Sequence, residues 1–145
     1  RAPAAARGAA AGGATSSPHV RVVTYNLLSP TLCDEDRFPH CLKEDLDSEV
    51  RWGRVAAKLE ESMSSAWPTV VCLQEVDEAW MSRLHVFFQR RGWHFAPTMT
   101  PPPYWKFEPI GVALAWPSGE LELEEMEVVS LGTRVQQRLP RAGRP

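Results

Sequence analysis

Val70-Val71-Cys72-Leu73-Gln74-Glu75-Val76 is a short apolar run that ends in an amide and a carboxylate. Trp67-Pro68 precedes it and Asp77-Glu78 follows. A run of this length between breakers suits a strand covered on both faces and is too short for a helix. Glu75 then stands at a strand end, where a carboxylate left unpaired in low dielectric is costly. It must reach solvent, a basic partner or a metal ion, and the stretch alone leaves all three open.

On the C-terminal side, Asp77 can cap a helix in which Trp80, Met81, Leu84, Phe87 and Phe88 form an apolar stripe. Arg90 and Arg91 suit its last turn and Gly92 its end. On the N-terminal side, Ser48 can cap a helix over 48–64, with Trp52, Val55, Ala56, Leu59 and Met63 on one face. Both stripes read as core. Further upstream, Val20-Arg21-Val22-Val23-Thr24-Tyr25-Asn26-Leu27-Leu28 is rich in β-branched and aromatic residues and stops at Ser29-Pro30, the pattern of a strand whose two faces can both be buried. Strand, excursion with helix, and strand make a crossover unit. Its right-handed form lays the strands parallel and brings Asn26 and Glu75 to the same sheet edge.

Residues 29–47 contain Pro30, Pro39, Cys33, His40 and Cys41 without a sustained period and read as an irregular loop. The C-x6-H-C spacing fits no usual zinc pattern and has no obvious fourth ligand. Beyond the second helix, Trp93-His94-Phe95-Ala96 reads as a short strand. Pro101-Pro102-Pro103-Tyr104-Trp105-Lys106 reads as a stiff loop, and Ile110-Gly111-Val112-Ala113-Leu114-Ala115-Trp116 as a strong strand. Leu121, Leu123, Met126 and Val128 or Val129 suggest its hairpin partner. Tyr104 and Trp105 can stack a base while Lys106 touches phosphate, the usual single-strand device; hydrophobic cover over the sheet explains the aromatics equally well.

The flanks differ in composition. Residues 1–18 are Ala, Gly and Ser with two arginines and no acid, a disordered tail or a transit-peptide-like segment, and 131–145 form an irregular basic tail. Residues 19–130 make the domain between them. With 145 residues, 43% hydrophobic and 23% charged, the chain has the composition of one ordinary globular domain. Sixteen basic residues against 18 acidic ones leave a net charge of -2, so no global field points to nucleic acid and any such site must be local. No apolar run approaches a membrane span. An odd three cysteines without a CxxC pair argue for a reducing compartment, with the cytoplasm or nucleus expected and import into an organelle the alternative suggested by the Ala/Arg-rich start. The Arg1 start and the Pro-rich end look like those of a fragment.

Thr24-Tyr25-Asn26-Leu27-Leu28 followed, after one helix, by Cys72-Leu73-Gln74-Glu75-Val76 resembles the endonuclease/exonuclease/phosphatase family. Gly111-Val112-Ala113-Leu114-Ala115-Trp116 and then Leu121-Glu122-Leu123 is similar to the family's later strand pair. Phe38-Pro39-His40 with Arg51-Trp52 is similar to its poly(A)-deadenylase, nocturnin and Angel branch. The resemblance spans residues 20–129.

It implies an α/β protein with a DNase I-like α/β sandwich, two β-sheets flanked by helices, of which this sequence holds the N-terminal half. It also implies magnesium-dependent hydrolysis of phosphate esters, manganese being a possible substitute, by an enzyme of the 3′-5′ exoribonuclease (deadenylase) or nucleotide-phosphatase kind. The substrate would be an RNA 3′ end or a nucleotide-type phosphate. By the same resemblance Glu75 is the metal ligand, Asn26 bonds a metal-bound water or the scissile phosphate, and Gln74 orients the site. The sequence departs from the family at Thr69, where an acid is common. The family's later aspartate and asparagine, and its terminal aspartate-histidine pair, have no counterpart: no Asp or His follows Val129, and none of His19, His40, His85 and His94 matches the catalytic histidine. The alternative is an inactive fragment or binding module.

Overall fold

The computed structural model describes residues 19–100 and 109–129. Strand β1 (Arg21–Asn26) leads through a 3-10 turn (Pro30–Leu32), the short helix α1 (Lys43–Leu46) and helix α2 (Ser48–Met63) into β2 (Thr69–Val76). Helix α3 (Glu78–Gln89), β3 (Trp93–Thr100) and β4 (Ile110–Pro117) follow. The four strands form one sheet in the order β1-β2-β4-β3, with β1 and β2 parallel and β4 antiparallel to both neighbours. The crossover expected from the sequence is therefore present, and it sets Asn26 opposite Gln74, one residue from Glu75.

The apolar stripes explain how the layers meet. Val55 and Leu59 of α2 and Trp80, Leu84, Phe87 and Phe88 of α3 are buried against Val71, Leu73, Ala113 and Ala115 of the sheet. Full burial of each large side chain contributes about 1.5–3 kcal/mol, so this helical layer holds the fold. Trp52, Ala56, Met63 and Met81 pack around its margin. Asp77 caps α3 as expected, accepting from Trp80 N at 2.8 Å. Asp47, not Ser48, caps α2: its carboxylate accepts from Glu49 N and Val50 N at 2.9 and 3.0 Å, and its charge suits the helix N-terminus. Arg91 lies just past α3 and donates to Phe87 O at 2.9 Å, and Gly92 turns the chain with φ +68°.

Several other expectations change. Among the described residues, the helices cover one face of the sheet. Val71 and Leu73 are buried, whereas Val70, Cys72 and Gln74 on the opposite face are half-buried. On β1, Val22, Thr24 and Asn26 are exposed. The valine pairs Val22-Val23 and Val70-Val71 give no sign of which face is covered, and Thr24, Asn26 and Gln74 are the residues that mark the open one. Strand β3 runs beyond Ala96 and through Pro97, which pairs with Ala113; on an edge strand the missing N–H breaks no ladder bond. The hairpin partner of β4 is β3, not residues 121–129, because β2 and β3 already occupy both its edges. Residues 126–129 instead lie beside Ala96, Thr98, Val112 and Leu114 on the open face. The 29–47 segment gains the 3-10 turn and α1, each a single turn.

Tyr104, Trp105 and Lys106, the tail 1–18 and the tail 131–145 lie outside the described residues. Among those described, no helix is long and apolar enough to cross a membrane. Cys33, Cys41 and Cys72 are free thiols.

Two substitutions check this layering by urea unfolding. Leu59 is fully buried and Val22 is 67% exposed, so Leu59→Ala is expected to lose about 2–5 kcal/mol while Val22→Thr stays within about 0.5 kcal/mol. A Cβ on Gly111 would sit 1.7 Å from Thr98 O, so Gly111→Ala is expected to destabilise at least as much as Leu59→Ala by breaking the β3–β4 pairing.

Candidate active site

The carboxyl ends of β1 and β2 lie side by side, the place where open α/β sheets present ligand sites. In a regular strand Gln74 and Glu75 would point to opposite faces. The ladder between β2 and β4 instead slips between Gln74 and Val76, and Glu75 occupies this irregularity with φ +57°. Such a bulge re-aims a side chain. Leu28, two residues after the end of β1, has φ +53°. Among the described residues these are the non-glycine positions with positive φ.

Asn26 and Glu75 meet directly. Asn26 Nδ2 donates to Glu75 Oε1 at 2.7 Å, and Asn26 Oδ1 accepts from Leu28 N at 2.8 Å. The amide is thus held at both ends. Glu75 Oε2 is shielded from solvent and has no hydrogen-bond partner among the described residues. Among the described residues no basic side chain forms an ion pair with Glu75, so a salt bridge to an arginine is not how this carboxylate is balanced. Gln74 lies next to the pair in sequence but bonds elsewhere: its Nε2 donates to Thr24 Oγ1 at 3.1 Å and to Cys72 O at 3.2 Å. Tyr104, Trp105 and Lys106 are outside the described residues, so the structure brings together Asn26 and Glu75 from the expected set.

An orphaned anionic oxygen matches the ligand chemistry of a hard divalent cation. Magnesium is commonly held through one or two carboxylates together with water and substrate phosphate, so Glu75 fits as a single protein ligand. Asn26 directs its N–H at Glu75 and its oxygen at a backbone N–H, which leaves contact through a water as its route to a cation. Among the described residues, no group of three His, Cys, Asp or Glu side chains could hold a metal ion by itself.

Ser29, Arg51 and Trp80 also border this edge, and the sequence reading assigned none of them to the site. A serine after a strand, an arginine in a helix's first turn and a tryptophan in a core stripe carry no local signal of such a role. The histidines are placed differently: His94 packs against Trp116, His85 against Phe95 and His19 against Trp67. A groove of about 520 Å³ lies on the helical layer, between Trp52 and Ala56 of α2 and Phe87 and Arg83 of α3. Glu49–Arg83 and Glu60–Arg91 ion pairs bridge the elements that form it. The Arg83 guanidinium, by hydrogen bonding, holds the Glu49 carboxyl below its ordinary value. This groove carries no orphaned acid, so the strand ends remain the better candidate.

No family model matches the chain. No curated protein matches it either. Among solved structures it is similar to the crystal structure of ANGEL2, a 2′,3′-cyclic phosphatase, in complex with adenosine-2′,3′-vanadate. The TM-score is 0.55 at 25% sequence identity, over 66% of this chain and 26% of that one. The chain thus spans about a quarter of the length of that solved structure. The likeness, together with the mixed four-stranded sheet and its helical layer, places the chain in the DNase I-like α/β fold class.

Proposed function

We propose that the chain carries one wall of a divalent-cation-dependent site for hydrolysing phosphate esters of nucleotide type. The solvent-shielded, unpartnered Glu75 Oε2 beside Asn26 carries this reading. In a protein without a catalytic or ligand-binding reason, a buried carboxylate oxygen with no donor is selected against, because it forfeits the hydration of an anion. The similarity to a phosphatase solved with a nucleoside vanadate supports the nucleotide end of the range, an RNA 3′ end or a nucleotide phosphate.

Within this reading Glu75 Oε2 holds the cation. Asn26 fixes Glu75 Oε1 and reaches a cation-bound water or the phosphate. A bound magnesium or manganese ion supplies neutralisation of the charge that develops on the phosphoryl oxygens and leaving group. Gln74, through its bond to Thr24, steadies the adjacent strand end. Tyr104 and Trp105 supply stacking surfaces and Lys106 a charge for the substrate. The most concrete activities are those of a 3′-5′ exoribonuclease of the deadenylase kind and of a nucleotide phosphatase.

A second reading, a binding module without turnover, is favoured by a separate observation. The open face exposes Val22, Val112 and Leu114 at 67%, 51% and 41%. Apolar exposure of this kind on one sheet face marks a surface suited to cover by another layer or partner.

Product release from oligo(A), adenosine 2′,3′-cyclic phosphate, a mononucleotide and an inositol phosphate, assayed with magnesium and with EDTA, tests the catalytic reading. Turnover of the adenosine substrates is expected, with Glu75→Gln reducing it by about 10²-fold or more. Turnover that survives Glu75→Gln would remove the ligand assignment. No turnover of any substrate would leave the binding module. A stability measurement is independent of substrate: in EDTA, Glu75→Gln is expected to raise stability by about 1 kcal/mol, since it replaces an orphaned anion with a neutral amide. A loss of that size would show that Oε2, and not only Oε1, has a donor within the protein.

A further inference from the structure

Glu75 and Leu28 both hold left-handed backbone conformations, and neither is glycine. Conformations of this kind persist only where surrounding contacts over-determine them. The contacts here come from residues outside the Asn26–Glu75 pair. We infer that Ser29, Asp77 and Arg51 form a clamp of positioning residues that aims Glu75 Oε2 at its cation, an assignment that rests on reading Glu75 as a metal ligand.

The clamp has two arms. In the first, Ser29 Oγ donates to Asp77 Oδ2 at 2.5 Å, with both residues almost wholly buried. Ser29 follows Leu28 directly and Asp77 lies two residues after Glu75. One buried bond therefore ties the chain just past one left-handed residue to the chain just past the other. Capping of α3 does not require this bond, because Asp77 Oδ1 already accepts from Trp80 N. Ser29 also holds its own turn, bonding Thr31 Oγ1 at 2.8 Å and accepting from Thr31 N at 3.2 Å.

In the second arm, donors converge on the backbone around Leu28. Arg51 Nη2 donates to Leu27 O at 2.8 Å and to Leu28 O, and Trp80 Nε1 donates to Leu28 O at 3.3 Å. The Arg51 guanidinium lies 5.5 Å from the centre of the Trp80 ring. Both Arg51 bonds leave the one Nη2 nitrogen, whose two N–H groups serve two adjacent carbonyls from a planar, pre-organised guanidinium, whereas a lysine ammonium sits on a more flexible stem.

The consequence passes to the site through the Leu28 amide. With the Leu28 peptide fixed, its N–H binds Asn26 Oδ1, which turns Asn26 Nδ2 onto Glu75 Oε1. Oε1 is then engaged and Oε2 is the oxygen left for a ligand. Outer partners that orient a ligand carboxylate in this way typically change metal affinity by about 10–100-fold when lost.

The test uses the full 145-residue chain with Ser29→Ala, Arg51→Lys and Arg51→Ala. Circular dichroism and urea unfolding establish that each variant folds. Since Ser29 is fully buried, the Arg51 pair provides the second route if Ser29→Ala does not fold. Two readouts separate positioning from mere support. The first is the 13Cα shift and HN–Hα coupling of Leu28 and Glu75, which report the sign of φ. The second is Mn2+ affinity, measured from the electron paramagnetic resonance signal of free Mn2+, with Glu75→Gln as reference. Folded variants are expected to lose the left-handed signature at Leu28 or Glu75 and to bind Mn2+ about 10-fold more weakly, with Arg51→Ala affected more than Arg51→Lys. Folded variants that keep both signatures and bind Mn2+ as the wild type does would overturn the clamp alone. A wild-type chain that binds no Mn2+, or binds it equally well with Glu75→Gln, would overturn the reading of Glu75 as a ligand and this assignment with it.

Discussion

The hydrogen bond from Asn26 Nδ2 to Glu75 Oε1 joins two strand ends that lie 49 positions apart in the chain. It can form only because β1 and β2 run parallel and in a register that ends both at one edge. The parallel register in turn needs the long crossover through α2, and α2 stays in place because Val55 and Leu59 are buried against the sheet. A surface hydrogen bond adds about 0.5–1.5 kcal/mol to stability, far less than the packing that brings its partners together. Its importance is geometric: it engages one carboxylate oxygen and leaves the other without a donor.

That arrangement runs against folding economy in two places. The left-handed backbone at Leu28 and Glu75 costs roughly 1–2 kcal/mol per residue, and an unsatisfied buried polar atom costs about 1–3 kcal/mol more. The core is large enough to absorb these terms, with Trp80 and Phe88 fully buried and aromatic rings stacked from α3 onto β3. Strain and an unpartnered carboxylate oxygen thus meet at one sheet edge, a combination that functional sites commonly show.

The sheet itself is asymmetric. One face carries the helical layer and the other carries Val22, Cys72, Val112 and Leu114 with partial or full exposure, crossed near β3 and β4 by residues 126–129. The similarity to ANGEL2 extends over about a quarter of that chain.

Much of this was legible in the residues themselves. The stripes Trp52-Val55-Leu59 and Trp80-Leu84-Phe87-Phe88 have a helical period, the strands are β-branched runs between breakers, and a right-handed crossover leaves one way to set β1 beside β2. Asn26 and Glu75 could be placed at one edge on those grounds alone. Tertiary structure decided the rest. Whether Val22 or Val23 faces the core depends on which side the helices settle, and both residues are valines. Pro97 can continue β3 only because β3 is an edge, and residues 121–129 do not pair because β2 and β3 already flank β4. The bulge at Glu75, and the buried bond between Ser29 and Asp77 across 48 positions, follow from three-dimensional closure between distant segments. Periodicity reports what each residue prefers locally, whereas the aim of one carboxylate oxygen depends on contacts that exist only after the chain has closed.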